Sequence, residues 1–268
     1  MGILNVTTDS FSDGGRYIAA DAAIAHGLEL ASQGADIVDV GGESTRPGAE
    51  RVPPHVELER VLPVVAALAA QGIVVSIDTM RAATAVAAVE AGATYVNDVS
   101  GGLADPDMAG AVASLGAEFI AMHWRAHSTE MDKHDHYADV VAEVRGELAE
   151  RVASLTSAGI DPARIILDPG LGFAKVGESN WPLLARMDEW SAGHRVLVGA
   201  SRKRFLGAAI ARPGVAADDP AVREDATTAV TTLAAAAGAW AVRVHNPTAA
   251  KDAIAVAKAW TNAAEARR

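Results

Sequence analysis

Gln71-Gly72-Ile73-Val74-Val75-Ser76-Ile77-Asp78 joins the end of a helical pattern to a short apolar run. Upstream of it Leu58, Val61, Leu62, Val65, Leu68 and Ala69 recur at three-and-four spacing, the period of an amphipathic helix. Gly72 suits the left-handed position just past a helix C-terminus. The run that follows is apolar on both faces, as a strand of a buried parallel sheet is, and Asp78 closes it. The same join returns as Gln33-Gly34 before Ile37-Val38-Asp39-Val40, Ala91-Gly92 before Tyr95-Val96-Asn97, and Leu115-Gly116 before Phe119-Ile120-Ala121-Met122. It returns again as Ala158-Gly159 before Ile165-Ile166-Leu167, Ala192-Gly193 before Val196-Leu197-Val198, and Ala237-Gly238 before Trp240-Ala241-Val242.

These units and an opening strand near Ile3-Leu4 make eight strands alternating with helices. Val140, Val141, Val144, Leu148, Val152 and Leu155 mark another helix by the same period. An α/β fold follows. A (β/α)8 TIM barrel is its natural closure, and a doubly wound open sheet is the alternative. No linker or low-complexity tract divides residues 1–268, so they read as one domain. The stretch 212–225 carries Pro and Asp and reads as a longer surface loop.

Half the residues are hydrophobic but only 4% are aromatic, so the core must be built from Ala, Val, Ile and Leu. A net charge of −11 argues against nucleic acid as a partner, while an anionic small molecule is compatible with a local basic cluster. The absence of cysteine excludes disulfides, thiolate chemistry and Cys-built zinc sites. No apolar run approaches about 18 residues, and no secretory-signal pattern opens the sequence. The expected location is the cytoplasm, with no membrane partner.

Active sites of parallel barrels lie at the C-terminal ends of the strands, and polar residues gather there. Asn5 follows the first strand; Asp39 and Gly41-Gly42-Glu43-Ser44-Thr45-Arg46 follow the second; Asp78 closes the third. Asn97-Asp98, His123 and Asp168 end the next three, then Ser201-Arg202-Lys203, then Arg243 and His245. Any one of them could be a helix cap. Eight such ends converging on one rim point to a site. Asp78, Asn97 and Asp168 can accept from a ring bearing amidine-like N–H groups. Arg46, Lys203, Arg243 and His245 can hold a phosphate or pyrophosphate. The Gly-rich stretches 7–15 and 41–48 read as lids.

Other motifs have plainer readings. His123, His127, His134 and His136 are irregularly spaced around the charged Lys133 and read as a solvated loop rather than a metal site. Gly199-Ala200-Ser201-Arg202-Lys203 is not a nucleophile elbow. Gly170-Leu171-Gly172-Phe173-Ala174-Lys175 lacks the spacing of a phosphate loop. Glu43 is expected to fix loop backbone rather than to act as an acid, and Trp240 to belong to the core or an interface.

Taken in order, the motifs resemble those of dihydropteroate synthases. They are Asn5-Val6-Thr7-Thr8-Asp9-Ser10-Phe11-Ser12-Asp13-Gly14-Gly15, Asp39-Val40-Gly41-Gly42-Glu43-Ser44-Thr45-Arg46-Pro47-Gly48, Ser76-Ile77-Asp78-Thr79 and Asn97-Asp98-Val99-Ser100-Gly101-Gly102. Met122-His123, Asp168-Pro169-Gly170-Leu171-Gly172-Phe173-Ala174-Lys175, Gly199-Ala200-Ser201-Arg202-Lys203-Arg204 and Arg243-Val244-His245 complete the set. The resemblance implies an enzyme of folate synthesis. Such an enzyme condenses 6-hydroxymethyl-7,8-dihydropterin pyrophosphate with p-aminobenzoate, giving 7,8-dihydropteroate and pyrophosphate.

By that resemblance Asp78, Asn97, Met122, Asp168, Phe173, Lys203 and Arg243 line the pterin pocket. Asn5, through Mg2+ as cofactor, and Arg46, Arg243 and His245 hold the pyrophosphate. Phe11, Thr45, Pro47, Phe173 and Arg204 shape the p-aminobenzoate site. Asp78, Asp168, Lys203, Arg243 and His245 form the catalytic set, with an SN1-like displacement as the expected path. A homodimer through the Ala-rich helices 227–237 and 249–263, and competition by sulfonamides, are also implied. A non-catalytic pterin-binding paralogue and a pterin-dependent methyltransferase with a corrinoid partner are the alternatives. Thr8 stands where many members have Pro, which is expected to loosen the first loop without removing a contact group. The sequence also opens directly before strand one, where the family usually carries further residues; either the start lies further upstream or the lower end of the barrel is less covered.

Overall fold

The computed structural model describes residues 1–6, 16–44, 51–127 and 130–266. Strand β1 (Gly2–Asn5) leads to helix α1 (Arg16–Ser32), β2 (Val38–Gly41) to α2 (Pro54–Ala70), β3 (Val75–Asp78) to α3 (Ala82–Glu90) and β4 (Tyr95–Asp98) to α4 (Met108–Leu115). Then follow β5 (Glu118–Met122) and α5 (Val140–Ser157), and β6 (Ile165–Asp168) with the short helices α6 (Trp181–Ala185) and α7 (Met187–Ser191). Strand β7 (Arg195–Val198) is followed by α8 (Arg204–Ile210) and α9 (Glu224–Ala236), and β8 (Ala241–Val242) by α10 (Pro247–Glu265).

The repeated glycine does what its position predicts. Gly34, Gly72, Gly92, Gly116, Gly159, Gly193 and Gly238 all adopt positive φ. Past Gly72 the Ile73 N–H donates back to the Leu68 carbonyl, and past Gly92, Gly159 and Gly238 the next residue makes the equivalent bond. That bond satisfies a helix-end carbonyl and turns the chain directly into the next strand.

The eight strands are parallel and stand in chain order. Gly2 bridges Val244 in parallel, Ile3 N–H donates to Val244 O at 3.0 Å, and Val244 N–H donates to Met1 O at 3.0 Å. The ring therefore closes as a barrel, and the open-sheet alternative is excluded. Side chains alternate along each strand. Val38, Val40, Val75, Ile77, Val96, Phe119, Ala121, Ile165, Leu167, Val196 and Val198 face outward into one core with the helices, including Val61, Val65 and Leu68 of α2 and Val144, Leu148 and Leu155 of α5. Ile37, Ile120, Ile166 and Leu197 point inward and, with Met1, plug the barrel. Trp240 stacks near Tyr95 at this lower layer, ring centroids 5.6 Å apart, and so belongs to the core.

Two expectations need correction. The stretch 212–225 is not loop throughout: a 3-10 turn occupies Pro220–Arg223 and α9 begins at Glu224. Asp219 accepts from Ala221 N–H, Pro220 fits the first helical position, and Glu224 and Asp225 complement the helix dipole. Asp39 does not follow β2 but lies within it, fully buried. No described helix is long and apolar enough to cross a membrane.

Phe119 is fully buried on the outward face of β5. Phe119→Ala should cost about 3–5 kcal/mol through lost burial and an unfilled cavity. Urea unfolding checks this, and a loss under 1 kcal/mol would contradict the packing described.

Candidate active site

Above the apolar plug the inward positions turn polar. Two residues beyond Ile37 comes Asp39, beyond Ser76 comes Asp78, beyond Tyr95 comes Asn97, and beyond Ile120 and Ile166 come Met122 and Asp168. The parallel register puts Asn5 beside Gly41, Gly41 beside Asp78, Asp78 beside Asn97, and Met122 beside Asp168. Arg243 follows β8 by one residue. The strand ends thus bring these side chains to one mouth, with Asp78 and Asp168 at the same end of the sheet.

Arg243, Asp39, Asp78 and Asn97 form one connected knot, while Asp168 and Lys203 bond to the loop after β6. Arg243 donates from Nε to Asp39 Oδ2 at 2.6 Å and from Nη2 to Asp78 Oδ2 at 2.8 Å. Asn97 Nδ2 donates to the same Asp39 oxygen at 3.1 Å. Among the described residues Asp39 Oδ1 has no hydrogen-bond partner. Asp168 Oδ1 accepts from Gly170 N–H at 2.7 Å. Lys203 Nζ donates to Leu171 O and lies 4.7 Å from the Phe173 ring centroid. Phe173 packs with Met80, Val99 and Met122 in an apolar wall beside these charges. Ser201 Oγ stands 2.9 Å from His245 Nδ1 and accepts from His245 N–H at 3.3 Å. Arg204 is exposed at the first residue of α8, and Asn5 is half-buried at the end of β1.

Burial dominates the electrostatics. It pushes the Asp78 carboxyl up to about 7, against the pull of Arg243 and helped by Asp39. It raises Asp168 too, with Lys203 opposing, and it draws the Lys203 amine down to about 8 against Asp168. Carboxylates and cations thus share a poorly solvated mouth, which suits a ligand that offers both donors and acceptors.

Several sequence readings divide here. Glu43 accepts from Val52 N–H at 3.1 Å and from Arg51 Nε at 2.9 Å, so it fixes loop backbone as expected. His127, His134 and His136 are exposed. His123 contradicts the solvated-loop reading: it is 2% exposed, between Lys175 Nζ and Glu147 Oε2, each at 2.8 Å. It ends a strand whose backbone ladder runs on, His123 N–H donating to Asp168 O, so it belongs to the barrel and not to the loop. Asp39 stands among the polar strand ends of the sequence with no role assigned to it, and the inward alternation Ile37, Asp39, Gly41 is the signal that aims it into the mouth. Lys175 was missed with no local signal to reveal it. Phe11, Thr45, Arg46 and Pro47 lie outside the described residues.

Comparison with known proteins adds a family signature. A family model described as pterin binding enzyme matches residues 1–245. The dihydropteroate synthase of Mycobacterium leprae is 55% identical over 265 residues, 98% of this chain and 93% of that protein. The structure of Xanthomonas albilineans dihydropteroate synthase with 4-aminobenzoic acid superposes with a TM-score of 0.88 at 44% identity, covering 96% of this chain and 91% of that one. The same enzyme in complex with 7,8-dihydropteroate gives 0.84 at 42% identity, with the same coverage. Yersinia pestis dihydropteroate synthase in a sulfonamide complex gives 0.88 at 36% identity, covering 97% of this chain and 93% of that one.

Gly170 tests how tightly the rim is built. Its φ is +67°, and an added Cβ would stand 2.4 Å from the His123 carbonyl oxygen. Gly170→Ala should cost about 1–3 kcal/mol, read as a lowered urea midpoint at unchanged slope. Gly146, inside α5 with open space around it, is the control: Gly146→Ala should gain about 0.5–1 kcal/mol. Equal midpoints for the two variants would contradict the geometry.

Proposed function

The chain belongs to the pterin-binding enzyme family and, within it, to the dihydropteroate synthases, transferases of folate synthesis, and from this we propose how its rim divides the work. The observation that carries the reading is convergence: the knot of Asp39, Asp78, Asn97 and Arg243 shares one mouth with Asp168 and Lys203, beside the apolar wall of Met122 and Phe173. Asp168 accepts from the amino group and ring N–H of the pterin, Lys203 donates to its ring oxygen and nitrogen, and Arg243 covers its face. Asp78 and Asn97 close the pocket. Arg243 and His245, with the Ser201 hydroxyl beside it, face the pyrophosphate, and Arg46 is assigned there by its motif. Phe11, Thr45, Pro47, Phe173 and Arg204 are assigned to p-aminobenzoate.

An aryl amine is unprotonated at neutral pH, so it needs no general base. The barrier lies in departure of pyrophosphate from the methylene carbon. Buried carboxylates at Asp78 and Asp168 favour positive charge on the pterin, and the cations stabilise charge building on the leaving group. An SN1-like displacement follows. Mg2+ arriving with the pyrophosphate would supply further charge neutralisation. Asn5 fits it: its carboxamide offers a neutral, hard oxygen at the rim, and phosphate oxygens and waters would complete the shell.

A two-substrate assay with Mg2+ tests this. Dihydropteroate should form, and a sulfonamide should compete with p-aminobenzoate. Deuterium on the methylene should slow turnover measurably, since an isotope effect near unity excludes the SN1-like path. Asp168→Asn turns one acceptor into a donor facing ring N–H groups and should weaken pterin pyrophosphate binding by about 2–5 kcal/mol. No product from the wild type would leave a non-catalytic pterin binder.

The assembly is a homodimer through α9 and α10. Leu233 on α9, and Val256 and Trp260 four residues apart on α10, are 69%, 61% and 77% exposed. Such side chains next to small Ala residues suit close packing against a second copy. Light scattering at micromolar concentration should return twice the 27.5 kDa chain mass, and Trp260→Glu should lower it. A monomeric wild type refutes the dimer.

A further inference from the structure

Lys175 is 2% exposed, and the reaction outlined above makes no use of it. Its Nζ donates to His123 Nδ1 at 2.8 Å, to Phe173 O at 3.1 Å and to Gly170 O at 3.3 Å. Three acceptors consume the three N–H groups of an ammonium, so none is left for a phosphate. Burial draws this amine down to about 7, and the neighbouring Asp168 carboxylate works to keep it charged.

His123 accepts at Nδ1, so its proton sits on Nε2 and is donated to Glu147 Oε2 at 2.8 Å. Burial, reinforced by Lys175, lowers the imidazole to about 4 and keeps it neutral in that tautomer. Glu147, on α5, is held in turn by Arg125, which also pairs with Glu143 and lies 3.9 Å from the Tyr137 ring centroid. Tyr137 Oη donates to Ala174 O at 2.9 Å, where Ala174 sits at φ +48°. A non-glycine residue persists there only when its surroundings over-determine it.

The two carbonyls that Lys175 grips sit next to the pterin-facing groups. Gly170 holds Asp168 Oδ1 through its N–H, and Phe173 carries the ring against Met122 and Lys203. We infer that Lys175 is a positioning residue: anchored on His123 Nδ1 at the end of β5, whose tautomer Glu147 fixes, it grips the loop after β6 and so presets the Asp168 carboxylate and the Phe173 ring for the pterin. The inference rests on the pterin reading above for its functional half only.

Two measurements on the full chain test it. Hydrogen exchange of amides 170–176 reads the loop without any substrate, and calorimetry with an unreactive pterin phosphate, alongside steady-state kinetics, reads the pocket. Lys175→Met, close in shape and without charge, should speed exchange in 170–176. If the loop then holds the binding geometry about a tenth of the time, Kd and the pterin KM rise about tenfold while kcat at saturation changes little. The histidine separates the links. His123→Asn places an oxygen where Nδ1 stood and should retain most pterin affinity. His123→Gln reaches the Nε2 position, leaves Lys175 without its acceptor, and should behave like Lys175→Met.

Wild-type exchange in Lys175→Met overturns the inference, whatever the activity. So does a fall in kcat with Kd unchanged, or an equal effect of the two His123 variants. A wild-type protein that binds no pterin would sink the functional reading instead, and the exchange experiment would still decide the clamp. If Lys175→Met fails to fold, the His123 pair carries the same decision.

Discussion

Arg243 is gripped by carboxylates from β2 and β3, and the rest of the mouth is organised around that grip. Strand β8 is two residues long, so few backbone bonds close the ring between it and β1. The guanidinium reaches past β1 to Asp39 and Asp78 and spans the closing seam. Such a buried ion pair is costly to desolvate and is weak evidence for stability. Its effect here is orientation. Asp39 fixes Asn97 and Arg243 together, and Arg243 fixes Asp78, so charges that must meet a ligand do not have to be gathered when it arrives.

The plug of Ile37, Ile120, Ile166 and Leu197 makes that arrangement matter. It keeps water from the underside of the mouth and strengthens every charge interaction above it. The same burial drives Asp78 and Asp168 upward and Lys203 downward, so the free mouth is electrostatically uneasy. Strain of this kind is tolerable because it sits on strand ends whose outer faces are packed against helices.

Not every charge near the rim faces the mouth. Asp98 holds the turn after β4 through Ser100 and Gly102 N–H groups, and burial raises it to about 6. Glu57 gathers Thr79, Thr84 and Arg81 beneath the turn after β3. Arg223 donates to the carbonyls of Ala217, Asp218 and Arg202, bracing the segment that presents Lys203. These groups supply buried loops with the hydrogen bonds that water cannot.

The alternation of helix and strand was legible in residue order because its causes are local: a glycine for a left-handed turn, a 3.6-residue period, a run apolar on both faces. Strand-end placement of Asp78, Asn97, Met122, Asp168 and Arg243 followed from that alternation alone, and so did the end of the barrel they share. Which of them touch was not legible. Arg243 and Asp39 are 204 positions apart, and Lys175 and His123 are 52 apart, and no local pattern encodes a pairing across a closed ring. The same limit made His123 look like part of a solvated histidine loop and Lys175 like the tail of a failed phosphate motif. Burial decides the role of both side chains, and burial is a property of how distant segments pack, which only the closed barrel specifies.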